Sequence, residues 1–219
     1  MPLTIKVYSD YVCPFCLLAD GQLRAAAAER DVTIEHLPFE LRPYPTPTLR
    51  PEDGYMQRSW SEKVYPIAEQ LGVPIRMPEI SPQPYTHLAF EGYQFAKQAG
   101  IGEAYHSRVY KAFFQDGLHI GDIDVLTRLA EELGLDGPSY REALENGTYR
   151  ETHRQALHHA LYEADITAAP TYVIGNTAYK WLLYKEQFLE AIDAEFKKQR
   201  LERLEQWSMG ISCTIDGCS

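Results

Sequence analysis

The chain has 219 residues, 45% of them hydrophobic and 24% charged, with a net charge of −10. That acidity, with Lys and Arg scattered along the chain, excludes a nucleic-acid partner, which needs clustered cations against the phosphate backbone. No apolar run approaches the length that spans a bilayer, so no membrane partner is expected. The first residues lack the basic and long apolar regions of a secretory leader, so a cytoplasmic protein is expected if the chain is unprocessed.

Leu3 to Tyr8 alternates apolar and polar residues and predicts a half-buried strand. Cys13-Pro14-Phe15-Cys16 follows directly and opens a helical run that ends in Ala25-Ala26-Ala27-Ala28. A C-x-x-C at a strand-to-helix junction sets its first sulfur among the unpaired N–H groups at the positive end of a helix. That field favours thiolate, the nucleophile of disulfide exchange. Cys16, on the first turn, can close a disulfide with Cys13 or resolve a mixed one. Pro14 suits the first turn because no partner is lost with its N–H. Val32 to Phe39 reads as a second alternating strand, parallel to the first across a βαβ unit. His36 falls on its more polar face, as an exposed residue without a catalytic role.

Arg42 to Pro51 carries four prolines and continues neither strand nor helix, so it reads as a semi-rigid connector. From about residue 52 to 164 helical periods dominate. Pro66 must start or kink its helix. Gly100, Gly134 and Asn146-Gly147 close helices, and Ile123, Leu126, Leu129, Ala130 and Leu133 form an apolar stripe. The aromatic residues of this stretch, Tyr85, Phe90, Tyr93, Phe95, Tyr105, Tyr110, Phe113 and Phe114, read as core and interdomain packing rather than an apolar substrate groove. His158 and His159, near His153, diverge by about 100° on a helix, so no metal site is read there.

Ala168-Ala169-Pro170-Thr171-Tyr172-Val173-Ile174-Gly175 is a small-residue approach, a proline and a β-branched and aromatic run. Proline is allowed at the first residue of a strand, where it need not donate to the ladder. It holds Ala169 extended, and a tight X-Pro entry is where cis peptides occur. A second run at 177–183, with Asn176-Thr177 as the hairpin connection, and a helix over 185–207 complete the sheet region. The long helical stretch far exceeds an ordinary crossover of about a dozen residues. The expected organisation is therefore a discontinuous sheet domain, 1–42 and 166–207, an inserted helical domain over 43–165, and a tail over 208–219. In the tail, Ser208 to Ser212 reads as a glycine-bearing hinge before Cys213-Thr214-Ile215-Asp216-Gly217-Cys218. The Asp216-Gly217 turn signal can bring Cys213 and Cys218 within disulfide reach, as a staple or as a second redox pair.

Strand, C-P-F-C and helix early in the chain, with A-P-T-Y-V-I-G late, resemble the DsbA-type thioredoxin-fold disulfide oxidoreductases. The segment Ser9 to Cys16 together with Ala169-Pro170-Thr171-Tyr172 is most similar to the FrnE-like branch. The resemblance spans nearly the whole chain. It implies an α/β thioredoxin-like fold with a large inserted all-helical domain. It further implies Cys13 as exposed nucleophile and Cys16 as buried resolving thiol, with Pro14, Phe15 and Thr171 supporting the site. Pro170 would be a cis-proline against the disulfide, and the Ala169 backbone would pair with an extended substrate peptide. Redox-active disulfides then take the place of a cofactor, glutathione or another thiol serves as co-substrate, and the partners are thiol- or disulfide-containing proteins. Ala169 stands where relatives often carry valine or threonine. No histidine lies between the cysteines, so strongly oxidising character is not expected. Two other readings compete. Kappa-class glutathione transferases and chromene-carboxylate isomerases share the inserted architecture, but they need a single activated hydroxyl or thiol. A non-catalytic zinc module would use all four cysteines.

Overall fold

The computed structural model describes the backbone of residues 2–215 and the side chains of residues 2–207. Its centre is a four-stranded sheet of order β2-β1-β3-β4, with β1 Leu3–Ser9, β2 Val32–Pro38, β3 Thr171–Ile174 and β4 Thr177–Lys180. β1 and β2 are parallel, with Ile5 opposite Ile34, and α1, Pro14–Ala27, crosses between them. β3 runs antiparallel to β1, with Val7 opposite Tyr172, so the late strand lies beside the early one. The β3–β4 pair closes around Gly175-Asn176 rather than Asn176-Thr177, since Ile174 pairs with Thr177. Gly175 takes φ +60, the left-handed conformation that a tight hairpin requires and that glycine adopts without a Cβ penalty.

Between β2 and β3 the chain forms α2 Gly54–Ser59, α3 Tyr65–Leu71, α4 His87–Gln98, α5 Gly102–Lys111, α6 Ile123–Glu132, α7 Gly137–Glu145 and α8 Arg150–His158. The Pro66 problem is solved by a π turn over Trp60–Val64, which joins α2 to α3 just before the proline. The wider turn absorbs the irregularity in the hydrogen-bond ladder that a proline imposes. The Asp122 carboxylate caps α6 by accepting from the N–H groups of Asp124 and Val125.

The two faces of the sheet bury different chemistry. On one, Leu3, Ile5 and Val7 of β1 and Tyr172 and Ile174 of β3 pack against Leu23 of α1 and Phe188 and Ile192 of α9, Lys185–Ile215. On the other, Tyr8, Tyr11, Cys13 and Cys16 join a cluster with Trp60, Phe90, Tyr105, Tyr110, Phe113, Phe114 and Tyr140. The aromatic residues of the helical stretch are therefore largely core, in line with the packing reading rather than a substrate groove. α9 continues unbroken past Trp207, so the backbone expected to form a hinge over 208–212 is helical. Cys218 lies outside the described residues, and so does any Cys213–Cys218 bond.

Candidate active site

The site is made where β1 hands the chain to α1. Cys13 is the N-cap of α1, in an extended conformation, and Pro14 occupies the first helical position. The carbonyl of Cys13 accepts from Cys16 N–H at 3.1 Å, while its own N–H donates to Asp10 O at 3.1 Å. The Cys13 sulfur therefore sits at the positive end of α1.

The Ala169–Pro170 peptide bond is cis. It brings the Ala169 carbonyl oxygen to 3.7 Å from Cys13 Sγ. Residues 156 positions apart in sequence thus meet across the sulfur. Thr171 Oγ1 donates to Ala168 O at 2.7 Å and tightens the same turn. Pro14 and Phe15 are half-buried at the rim. Cys13 itself is only 3% exposed and Cys16 4%, so the expected contrast between an exposed and a buried sulfur is not one of exposure. Ala169 in the loop before β3 meets Cys13, and Tyr8, Tyr11 and Tyr110 belong to the same buried cluster as the dithiol.

The asymmetry between the sulfurs lies in their electrostatics. Burial pushes the Cys16 thiol well above its ordinary range, and its hydrogen bond with Cys13 and the charges of Cys13 and Asp10 push it the same way. Cys16 is a thiol that stays protonated. Cys13 stands at the N-cap of α1 and Cys16 within its first turn.

Asp10, three residues before Cys13, is the residue whose role the sequence did not disclose. It is fully buried, and desolvation raises its pKa to about 6 although the Leu41 N–H and the Thr86 hydroxyl favour its charge. Leu41 N–H donates to Oδ2 at 2.7 Å. Asp10 and Val12 line a cavity of about 200 Å³ with Leu41, Thr48 and Gln83. An acidic residue at the end of a strand before C-P-x-C was the available signal. It carried no indication of burial, because the residues around it come from the segment after β2 and from the loop that leads into α4.

His36 also differs from expectation. It is 4% exposed and stacks on His106 of α5, with ring centroids 3.7 Å apart. The polar side of β2 faces the inserted helices rather than water, which periodicity within the strand does not reveal. Burial, then the neighbouring His36 and Arg24, push His106 well below the ordinary histidine range. Trp181, directly after β4, is 65% exposed with φ +74, and its N–H donates to Pro170 O at 3.0 Å. A large indole thus stands in solvent beside the proline loop, in a conformation that costs a non-glycine residue energy.

This arrangement of a dithiol at a helix N-terminus facing a cis-proline on a four-stranded sheet defines a DsbA-like thiol–disulfide oxidoreductase of thioredoxin fold. The DSBA-like thioredoxin domain family matches residues 4–205, and the chain belongs to that family. YwbO of Bacillus subtilis strain 168, whose function is uncharacterized, is 52% identical over 200 residues, covering 91% of this chain and all of that protein. A probable DsbA oxidoreductase of Streptomyces coelicolor superposes with a TM-score of 0.75 at 21% identity, over 89% of this chain and 90% of that one. The cytosolic disulfide reductase DsbM of Pseudomonas aeruginosa, in its structure with glutathione, superposes with a TM-score of 0.64 at 19% identity, over 91% of this chain and 100% of that one. Among the described residues no helix is long and apolar enough to cross a membrane.

Proposed function

We propose that the protein exchanges disulfides with thiol- or disulfide-containing proteins and with small thiols such as glutathione, using Cys13 as nucleophile and Cys16 as resolving thiol. The observation that carries this reading is the placement of Cys13 Sγ at the α1 N-terminus, 3.7 Å from the Ala169 carbonyl, with Cys16 held protonated behind it. In the reductive direction the Cys13 thiolate attacks a substrate disulfide, forming a mixed disulfide and releasing one substrate thiolate. Cys16 then loses its proton and attacks Cys13 Sγ, which closes the Cys13–Cys16 disulfide and frees the second substrate thiol. Oxidation of a dithiol runs the same steps backwards. Asp10 is suited to take the Cys16 proton, since its charge acts on Cys16 and it changes protonation near pH 6. Retention of two sulfurs distinguishes this chemistry from glutathione transfer or isomerisation, which need one activated group, and so supports redox work.

The partners are proposed from chemistry alone. One protein of this fold was solved with glutathione, which supports a small-thiol partner here, and Val12, Pro14 and Phe15 are the half-buried residues flanking the dithiol. For Cys213 and Cys218 we propose a second redox pair that communicates with Cys13 through a small thiol or a second copy of the chain. The α9 backbone runs 31 residues without a break, about 46 Å at helical rise, which leaves no hinge to fold Cys213 back.

The deciding experiment is insulin reduction followed by turbidity, with disulfides assigned by mass spectrometry. Cys13→Ser is expected to abolish reduction, and Cys16→Ser to accumulate covalent complexes through Cys13. Full activity in Cys13→Ser would defeat the assignment.

A further inference from the structure

A cluster of metal-ligating side chains lies outside the dithiol. Asp20 sits on α1 one turn beyond Cys16, His36 on β2 and His106 on α5, and each offers a ligand atom within 4.8 Å of the other two. The cluster lies where the sheet side meets the inserted helices.

Four features distinguish it from an ordinary buried polar network. First, His36 is 4% exposed, yet neither ring nitrogen has a hydrogen-bond partner. Its Nε2 lies 3.0 Å from Glu103 Oε1 but is not aligned for a hydrogen bond to it. Buried imidazole nitrogens without partners are uncommon and point to an ion or water that would satisfy them. Second, the Tyr11 hydroxyl meets His106 at Nδ1, 3.3 Å away. That contact leaves Nε2 turned toward Asp20 Oδ1 at 3.7 Å. Fixing one ring nitrogen from outside is how proteins orient a histidine ligand. Third, Arg24 binds the far oxygens of both carboxylates, Asp20 Oδ2 at 2.7 Å and Glu103 Oε2 at 2.6 Å. Oδ1 and Oε1 are thereby left facing the imidazoles. Fourth, the carboxylates of Asp20 and Glu103 outnumber the single guanidinium of Arg24, an excess of negative charge that attracts a dication.

We propose that Asp20, His36 and His106 bind a divalent transition-metal ion of the zinc type, with Glu103 in reach as a fourth ligand. Imidazole nitrogens with carboxylate oxygens suit Zn²⁺ in tetrahedral geometry. Metal–ligand bonds of about 2.0–2.2 Å set ligand atoms roughly 3.4 Å apart, so the cluster must contract and the stacked rings must pivot. An ion there ties α1, β2 and α5 together, and through Tyr11 and Asp20 it bears on both sides of the dithiol. The site uses no cysteine and stands whether or not Cys13 exchanges disulfides.

The test uses the full chain with all four cysteines changed to serine, which removes thiolate binding. Its fold is checked by circular dichroism, and it is titrated with Zn²⁺ in competition with a chromophoric chelator. One ion per chain is expected, with the thermal midpoint raised by roughly 5–10 °C at a hundredfold excess over Kd. His36→Gln or His106→Gln in this background should weaken binding at least 100-fold, whereas His158→Gln/His159→Gln should leave it unchanged. If a buried-histidine variant unfolds, the imidazole proton resonances of the parent decide. Zn²⁺-dependent shifts at His36 and His106 support the site, and shifts confined to His158 and His159 overturn it. Absence of saturable binding below about 100 μM Zn²⁺ overturns it as well.

Discussion

The two sides of the sheet bury different chemistry and do different work, the inserted-helix side holding the larger cluster. The side that α1 and α9 cover is almost wholly hydrocarbon, with Phe188 edge-on to Tyr172 at 4.7 Å between centroids. The side that the inserted helices cover mixes tyrosines, histidines and carboxyls with the dithiol. Every buried side-chain nitrogen or oxygen without a partner, among the described residues, belongs to the second side: atoms of Asp10, Arg24, His36, Glu91, Thr127 and His153. Burying polar groups without full compensation costs stability. The comparison teaches that the first side holds the fold while the second spends part of that stability on groups with perturbed protonation, where chemistry is done.

If that division is right, substitutions on the two sides should separate stability from turnover. Phe188→Ala should cost about 3–5 kcal/mol, read by urea unfolding, because a large side chain leaves a cavity in a tight core. Disulfide exchange per folded molecule should stay near wild type. A large loss of activity in conditions where the variant is fully folded would break the comparison.

Asp10 sharpens it from the other side. Its folded-state pKa is raised from 3.8 to about 6, so the native state holds its proton more tightly than the unfolded chain. That contribution is fully present below pH 4 and is lost as pH rises through about 6. Its size is on the order of 3 kcal/mol. Stability measured at pH 4 and pH 7 should therefore differ less in Asp10→Asn than in wild type, by on the order of that amount. The same variant should slow resolution of mixed disulfides and remove the pH dependence near 6 from that step. A pH dependence identical to wild type would remove Asp10 from the mechanism.

Smaller effects are expected at the rim. Trp181 is exposed beside the Pro170 carbonyl, where a polypeptide substrate would meet the site. Trp181→Ala should raise KM for insulin or another protein disulfide by roughly three- to tenfold, on the scale of one aromatic contact. Rates with glutathione disulfide should stay unchanged, and equal losses on both substrates would show that the indole serves the site generally. The smallest change is expected from Cys213→Ser/Cys218→Ser. Turnover with a monothiol reductant should fall no more than about twofold, since α9 leaves no hinge for relay within one chain. A loss that deepens with protein concentration would indicate relay between copies.

Much of this protein was written locally in the chain. The strand before Cys13, the helix after it, the parallel second strand, the glycine stops and the amphipathic stripe of α6 all follow from short-range pattern, because periodicity and capping act over a few residues. Cys13, Cys16 and Pro170 were legible as a set because strand, C-P-F-C and helix early with A-P-T-Y-V-I-G late together resemble one family. Only the tertiary structure put the Ala169 carbonyl beside the Cys13 sulfur, buried Asp10 under Leu41, and turned His36 inward onto His106. Those outcomes depend on which distant element covers which face. Desolvation and electrostatic coupling are set by that three-dimensional cover, and no local sequence window contains it.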